Sequence, residues 1–243
     1  MRIGIKLGSS LLTSNQGEIN KALISKICFQ VAELLKNNHE IFIVSSGAVA
    51  SDPKKYRSKN LRSAIGQIKI IDYYSKNFKS HGLETAQFLL TDRELISNNR
   101  VTKKTLIEAF QEKVIPIING NDAVDSEELK ALEICADNDK LFFLTCSLVK
   151  ADVAIIGFSQ KGLLDNNGKI IHRVKINEIK KILSYAKKGS ALGHGDDGMK
   201  TKIEILNKIA KKGIRAILVP GKEKDFILRA LANEKNFGTV FTL

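Results

Sequence analysis

The sequence predicts an α/β protein: an open αβα sandwich on a mostly parallel central sheet. Short apolar runs alternate with amphipathic helical stretches along all 243 residues. The apolar runs are nearly continuous, as a strand buried on both faces requires, and do not alternate in polarity. No internal repeat, low-complexity tract or proline-rich linker breaks the series, so 1–243 reads as one domain.

RIGIKL (2–7) predicts the first strand. A helix follows near 19–35, with Ile19, Leu23, Ile27, Val31, Leu34 and Leu35 on one side. EIFIVS (40–45) is the next strand, and a helix at about 60–79 carries Leu61, Ile65, Ile68 and Phe78 roughly in phase. Further strands are expected at 84–90, 113–118, 152–157 and 214–219. The remaining helices are expected at 100–112, 138–149, 176–187, 199–212 and 223–233. GTVFTL (238–243) reads as a final edge strand.

Hydrophobic content of 43% and charged content of 27% fit a soluble globular protein. MRIGIKLGSS enters the first strand without a basic leader or cleavage site, so a signal peptide is not expected. No apolar run is long enough to span a bilayer. Cys28, Cys135 and Cys146 share no metal-ligand spacing, the His residues are scattered, and no protein-held metal site is expected. Cys28 and Cys146 sit in apolar surroundings and read as buried, reduced thiols, which points to the cytoplasm.

The net charge of +13 raises a nucleic-acid reading. However, the lysines are spread over the polar faces of helices, as in LNKIAKKG, and no nucleic-acid motif appears. Solvated helix faces account for them. A basic surface still favours small anionic substrates.

Ligands of open parallel sheets bind beyond the carboxyl ends of the strands. Gly8-Ser9-Ser10, Ser45-Ser46-Gly47-Ala48 and Asn119-Gly120-Asn121-Asp122 all fall at such ends. Each alone is an ordinary cap or turn. Their convergence on one edge marks a site. No Walker A sequence is present. Gly193, Gly195 and Gly198 form a GxGxxG match, but a helical stretch precedes it where a dinucleotide fingerprint needs a strand. It reads as a glycine-rich turn feeding a helix near Met199, an arrangement able to hold phosphate.

IKLGSSLLT, VSSGAVA, SAIGQ, AQFLLTD, VIPIINGNDAV, ADNDKL and GMKTK occur in this order. The ordered set resembles the glutamate 5-kinase branch of the amino acid kinase family, from residue 1 to the GTVF near the end. The resemblance implies an amino acid kinase-like sandwich that moves the ATP γ-phosphate onto the side-chain carboxylate of glutamate, opening proline synthesis. Its N-terminal part would mainly bind the acceptor and its C-terminal part the nucleotide. Lys6 resembles the lysine that contacts the transferring phosphoryl group, Lys202 its partner on the nucleotide side, and Asp139 the acid that holds them. Both lysines are expected at a solvent-facing cleft. Gly8, Ser9, Gly198, Met199 and Thr201 would join them around ATP, while Ser46, Gly47, Ala48, Asp122 and Asn138 would bind the amino acid. Mg²⁺ would be held mostly by ATP phosphates and water. The partners implied are glutamate, ATP and further copies of the chain; neither a membrane nor the RNA-binding-type C-terminal domain of many relatives is expected.

The match departs from the family pattern in several places. Asp196 and Asp197 replace a threonine and a glycine in the glycine-rich turn, and Phe158-Ser159 replaces a Thr-Asp or Ser-Asp pair. Gly120 stands where glutamate is usual, and SDPKKYRSKN shortens the loop after VSSGAVA. Another acceptor, or a catalytically weakened regulatory or binding relative, remains the alternative reading.

Overall fold

β1 (Arg2–Leu7) sorts its side chains by parity, as a pleated strand must. Ile3, Ile5 and Leu7 enter one apolar core. A Cβ on Gly4 would lie 2.5 Å from Phe42 and 2.9 Å from Phe142, so Gly4 and Lys6 face the opposite core. The computed structural model describes residues 1–14, 16–52, 54, 56–91, 94–95, 100–124, 138–188 and 196–243.

The elements after β1 are α1 (Ser9–Leu12), α2 (Lys21–Lys36), β2 (Glu40–Ser45), α3 (Lys59–Lys79) and β3 (Thr85–Leu90). They continue with α4 (Arg100–Gln111), β4 (Ile115–Gly120), α5 (Asn138–Val149), β5 (Val153–Phe158) and β6 (Arg173–Lys175). The chain closes with α6 (Ile179–Lys188), α7 (Asp196–Lys211), β7 (Arg215–Pro220), α8 (Phe226–Leu231) and β8 (Thr239–Thr242). Single 3₁₀ turns at Val49–Ser51 and Ile176–Glu178 precede α3 and α6.

Caps explain where the boundaries moved. Asn20 accepts a hydrogen bond from the Leu23 amide, so α2 starts at Lys21, after the expected Ile19. Ser58 caps α3 in the same way through Leu61 N. Asp225 adopts a left-handed φ of 53°, which stops α8 from extending back toward 223.

The sheet has 8 strands in the order β3-β4-β2-β1-β5-β7-β8-β6. All described pairings are parallel except β7 with β8. The last strand is therefore not an edge as expected. β8 lies between β7 and the three-residue β6, which forms the edge and was invisible in the sequence because RVK carries only one apolar residue.

One core lies between the sheet and α2, α3 and α8, with Ile24, Ile27, Tyr74 and Phe226 against odd-numbered residues of β1, β2, β5 and β7. The other lies beneath α4, α5 and α7, where Leu106, Phe142, Ile203 and Leu206 meet Phe42, Ile156 and Leu218. Among the described residues, no helix is long and apolar enough to cross a membrane.

Candidate active site

The carboxyl ends of β1, β2, β4 and β5 open into a cleft of about 670 Å³. It is lined by Lys6, Gly8 and Ser9 from the β1 end, and by Ser46, Gly47 and Ala48 from the β2 end. Asp122, Asn138 and Asp139 complete its middle, and Thr201 and Lys202 approach from α7. These are eleven of the expected site residues, brought together from segments far apart in sequence. Gly198 and Met199 sit in the first turn of α7, and Met199 is not among the lining residues.

At the centre, Asp139 bridges two cations. Its Oδ1 is 2.5 Å from Lys6 Nζ and its Oδ2 is 3.3 Å from Lys202 Nζ. Parity explains the first contact, because Lys6 points to the face on which α5 packs. Asp139 occupies the first turn of that helix, where the helix dipole favours an acid. Both lysines line the cleft as expected, but the Lys6 side chain is only 5% exposed and that of Lys202 19%. Lys6 can be so nearly covered because Asp139 supplies the opposite charge that an ammonium needs there.

The acceptor-side loops are organised by α3. Gly47 adopts φ 93°, a left-handed turn that favours glycine. Asn138 joins this turn to β4, donating from Nδ2 to Ser46 Oγ at 3.1 Å and accepting from Gly120 N at 3.3 Å. A Cβ on Gly66 would stand 1.8 Å from the Ala48 carbonyl oxygen, so the absent side chain lets α3 press on the turn backbone. Arg62 donates to the carbonyls of Asp52 and Val49, and Lys69 to that of Ser51. Asn60 and Gln67, also on α3, donate to the carbonyls of Asp122 and Gly120. Ser63 Oγ lies 3.4 Å from Asp122 Oδ2.

Asp52 anchors the start of the shortened loop. Burial works to raise its carboxyl, but the Lys54 amide and the Arg57 guanidinium outweigh that and hold it below the usual carboxylate range.

On the opposite side Phe158 ends β5 and presents an apolar wall to the cleft, at the hydroxyl-residue position of the Thr-Asp or Ser-Asp pair that Phe158-Ser159 replaces. Gly193 and Gly195, Asp125 and Cys135 lie outside the described residues. Ser10 and Asn119, from the strand-end segments expected to converge, also line the cleft, whereas Val49, Ala50 and Arg62 were not singled out from the sequence. Arg62 had one legible signal: it is a basic residue among the small and apolar positions of LRSAIG.

A carboxyl-edge cleft in an αβα sheet, with paired lysines on a shared acid, is the architecture of an enzyme acting on small anionic molecules. The chain belongs to the amino acid kinase family, whose profile matches residues 1–220. A glutamate 5-kinase of Dehalococcoides mccartyi (strain CBDB1) is 35% identical over 255 residues, covering 99% of this chain and 68% of the relative. A glutamate 5-kinase of Thermoanaerobacter sp. (strain X514) is 36% identical over 256 residues, with the same coverage. The corresponding enzyme of Shewanella oneidensis (strain MR-1) is 34% identical over 259 residues, again covering 99% and 68%. Among solved structures, an isopentenyl phosphate kinase superposes with a TM-score of 0.67 over 100% of both chains at 16% identity, a likeness of fold alone.

Proposed function

We propose that this chain transfers the γ-phosphoryl group of ATP to the side-chain carboxylate of glutamate, giving γ-glutamyl phosphate and ADP for proline synthesis. The observation that carries the reading is the Lys6–Asp139–Lys202 bridge at the boundary between the acceptor loops and α7. The relatives named above support glutamate as acceptor.

The chemistry asks little of the protein beyond position and charge. A glutamate carboxylate, with a solution pKa near ~4.3, is already ionised at neutral pH and needs no general base. One carboxylate oxygen forms the new bond to Pγ as the bond from Pγ to the β-phosphate oxygen breaks, and the electron pair leaves with ADP. Two anions must approach, so the barrier falls where fixed positive charge meets the charge that concentrates in transfer. Lys6 would face the transferring group and Lys202 the nucleotide side, with Asp139 fixing both. Lysine suits this as a compact point charge.

Gly8, Ser9, Gly198, Met199 and Thr201 are assigned to the nucleotide. Ser46, Gly47, Ala48, Asp122 and Asn138 are assigned to the amino acid, with Asp122 opposite its ammonium. The described residues contain no cluster of three acids, histidines or cysteines, and Asp139 is engaged by two lysines. In this reading Mg²⁺ would be held mostly by the ATP phosphates and water. The single-domain division of labour, a cytoplasmic location and a homo-oligomeric state are part of the same proposal. Leu61 and Ile68 leave apolar surface on one side of α3 for a second copy.

The test is γ-phosphoryl transfer from ATP to glutamate, with the acyl phosphate trapped by hydroxylamine and with aspartate and N-acetylglutamate in parallel. Hydroxamate formed from glutamate well above the other acceptors is expected. Absence of transfer to glutamate, or preference for another acceptor, overturns the proposal.

A further inference from the structure

Arg62 lines the cleft from the first turn of α3, on the acceptor side. Its guanidinium is held in place by main chain. Nε donates to the Asp52 carbonyl at 2.9 Å and Nη2 to the Val49 carbonyl at 3.0 Å. Neither partner is charged, and among the described residues no carboxylate lies within ion-pair distance of it. Arginine carries five N–H donors in a rigid fork. The two carbonyls leave Nη1 without a partner among the described residues. A half-buried, oriented, uncompensated guanidinium in a cleft is a receptor for an anion.

The charges in the cleft divide by region. Lys6 and Lys202 share Asp139 at the centre. Arg62 and Asp122 stand apart from that bridge, and both are tied to α3, Asp122 through Asn60 and Ser63. An amino acid acceptor brings three charges: a reacting carboxylate, an ammonium and an α-carboxylate. With the reacting carboxylate at the lysines and the ammonium at Asp122, the remaining anion needs a cation on the acceptor side. We propose that Arg62 binds the α-carboxylate of the acceptor amino acid and so selects α-amino acids over simpler carboxylates. This rests on the reading of the chain as a glutamate kinase.

The competing role is bracing, since Arg62 also holds the Val49–Asp52 turn. The two separate on a substrate pair. 4-Aminobutyrate keeps the amine and the reacting carboxylate of glutamate and lacks only the α-carboxylate. The ratio of kcat/KM for glutamate to that for 4-aminobutyrate is measured in wild type, Arg62→Met and Arg62→Lys, with calorimetric binding of both compounds giving the same ratio where turnover is slow. Loss of one charge-assisted contact is expected to lower the ratio about ten- to a hundredfold in Arg62→Met, and less in Arg62→Lys, which also serves if the methionine variant does not fold. An unchanged ratio, with both compounds weakened in proportion, makes Arg62 a brace only and overturns the inference while leaving the glutamate kinase reading intact. A wild type that transfers nothing to glutamate removes both readings, an outcome distinct from the first.

Discussion

On the acceptor side of the cleft, the turn after β2 and the turn after β4 are both roped to α3. Arg62, Gly66 and Lys69 hold the first; Asn60, Ser63 and Gln67 hold the second. On the β5 side the described lining is Phe158, Thr201 and Lys202, and Lys202 forms an ion pair with Asp139. One region is fixed by close main-chain approach and bonds to carbonyls, the other by charge and an apolar wall. The first tolerates little displacement but accepts changes in side chains that do not touch it. This accounts for two departures from the family pattern. The shortened loop is closed by the 3₁₀ turn at Val49–Ser51 under α3, and Gly120 is buried with its amide on Asn138. The second region depends on charges that a single substitution removes.

The sharpest way to break this comparison is at the bridge. Lys6→Ala and Lys202→Ala are each expected to lower kcat by roughly two to four orders of magnitude, since each removes a charge aimed at the transferring group. Lys202→Ala should melt near wild type, its side chain being partly exposed. Lys6→Ala removes the shorter of the two lysine contacts to a buried Asp139, so its melting temperature should fall as well. Near-normal turnover in either folded variant removes that lysine from the mechanism.

On the acceptor side, Asp122→Ala is expected to raise the glutamate KM about tenfold or more, the scale of one charge-assisted hydrogen bond, with the ATP KM unchanged. Asp125→Ala should do less, because Asp122 is the acid that the α3 bonds place in the cleft. An equal or larger effect at Asp125 moves the ammonium site.

Asp52 gives a smaller effect with a defined sign. Its folded pKa lies below the ordinary value, so its contribution to stability is present above the unfolded pKa near ~3.9 and is lost as pH falls through that value toward the folded one. Asp52→Asn should therefore lower the melting temperature at pH 7 and flatten its fall between about pH 5 and 2. A parallel shift at every pH would mean that the carboxylate charge contributes nothing. The smallest effect is chemical. Burial pushes the thiols of Cys28 and Cys146 well up, so neither should be alkylated by iodoacetamide in the folded protein at pH 8. Peptide mapping before and after denaturation checks this.

Much of this architecture was legible in the sequence because it is periodic. The β1 and β2 runs appear at their expected limits, and Asp139, Lys6 and Lys202 could be matched by motif. What escaped depends on contacts between distant segments. β6 has too few apolar residues to signal a strand, yet its pairing takes β8 from the edge to the interior. The burial of Lys6 is set by an acid 133 residues away. The bonds from Arg62 and Lys69 end on main-chain carbonyls, which every residue possesses and no motif records.

The claim that the two sides are held by separate devices is tested most directly at Gly66. Calorimetry would measure glutamate and a non-hydrolysable ATP analogue binding to wild type and Gly66→Ala. The added methyl must displace the Ala48 backbone, and a displacement near 1 Å can cost about a hundredfold in rate. Glutamate should bind at least tenfold more weakly, on the order of 1.4 kcal/mol, while the nucleotide affinity stays within about twofold. Equal weakening of both ligands, or of the nucleotide alone, in a variant that melts as a folded protein would contradict the account.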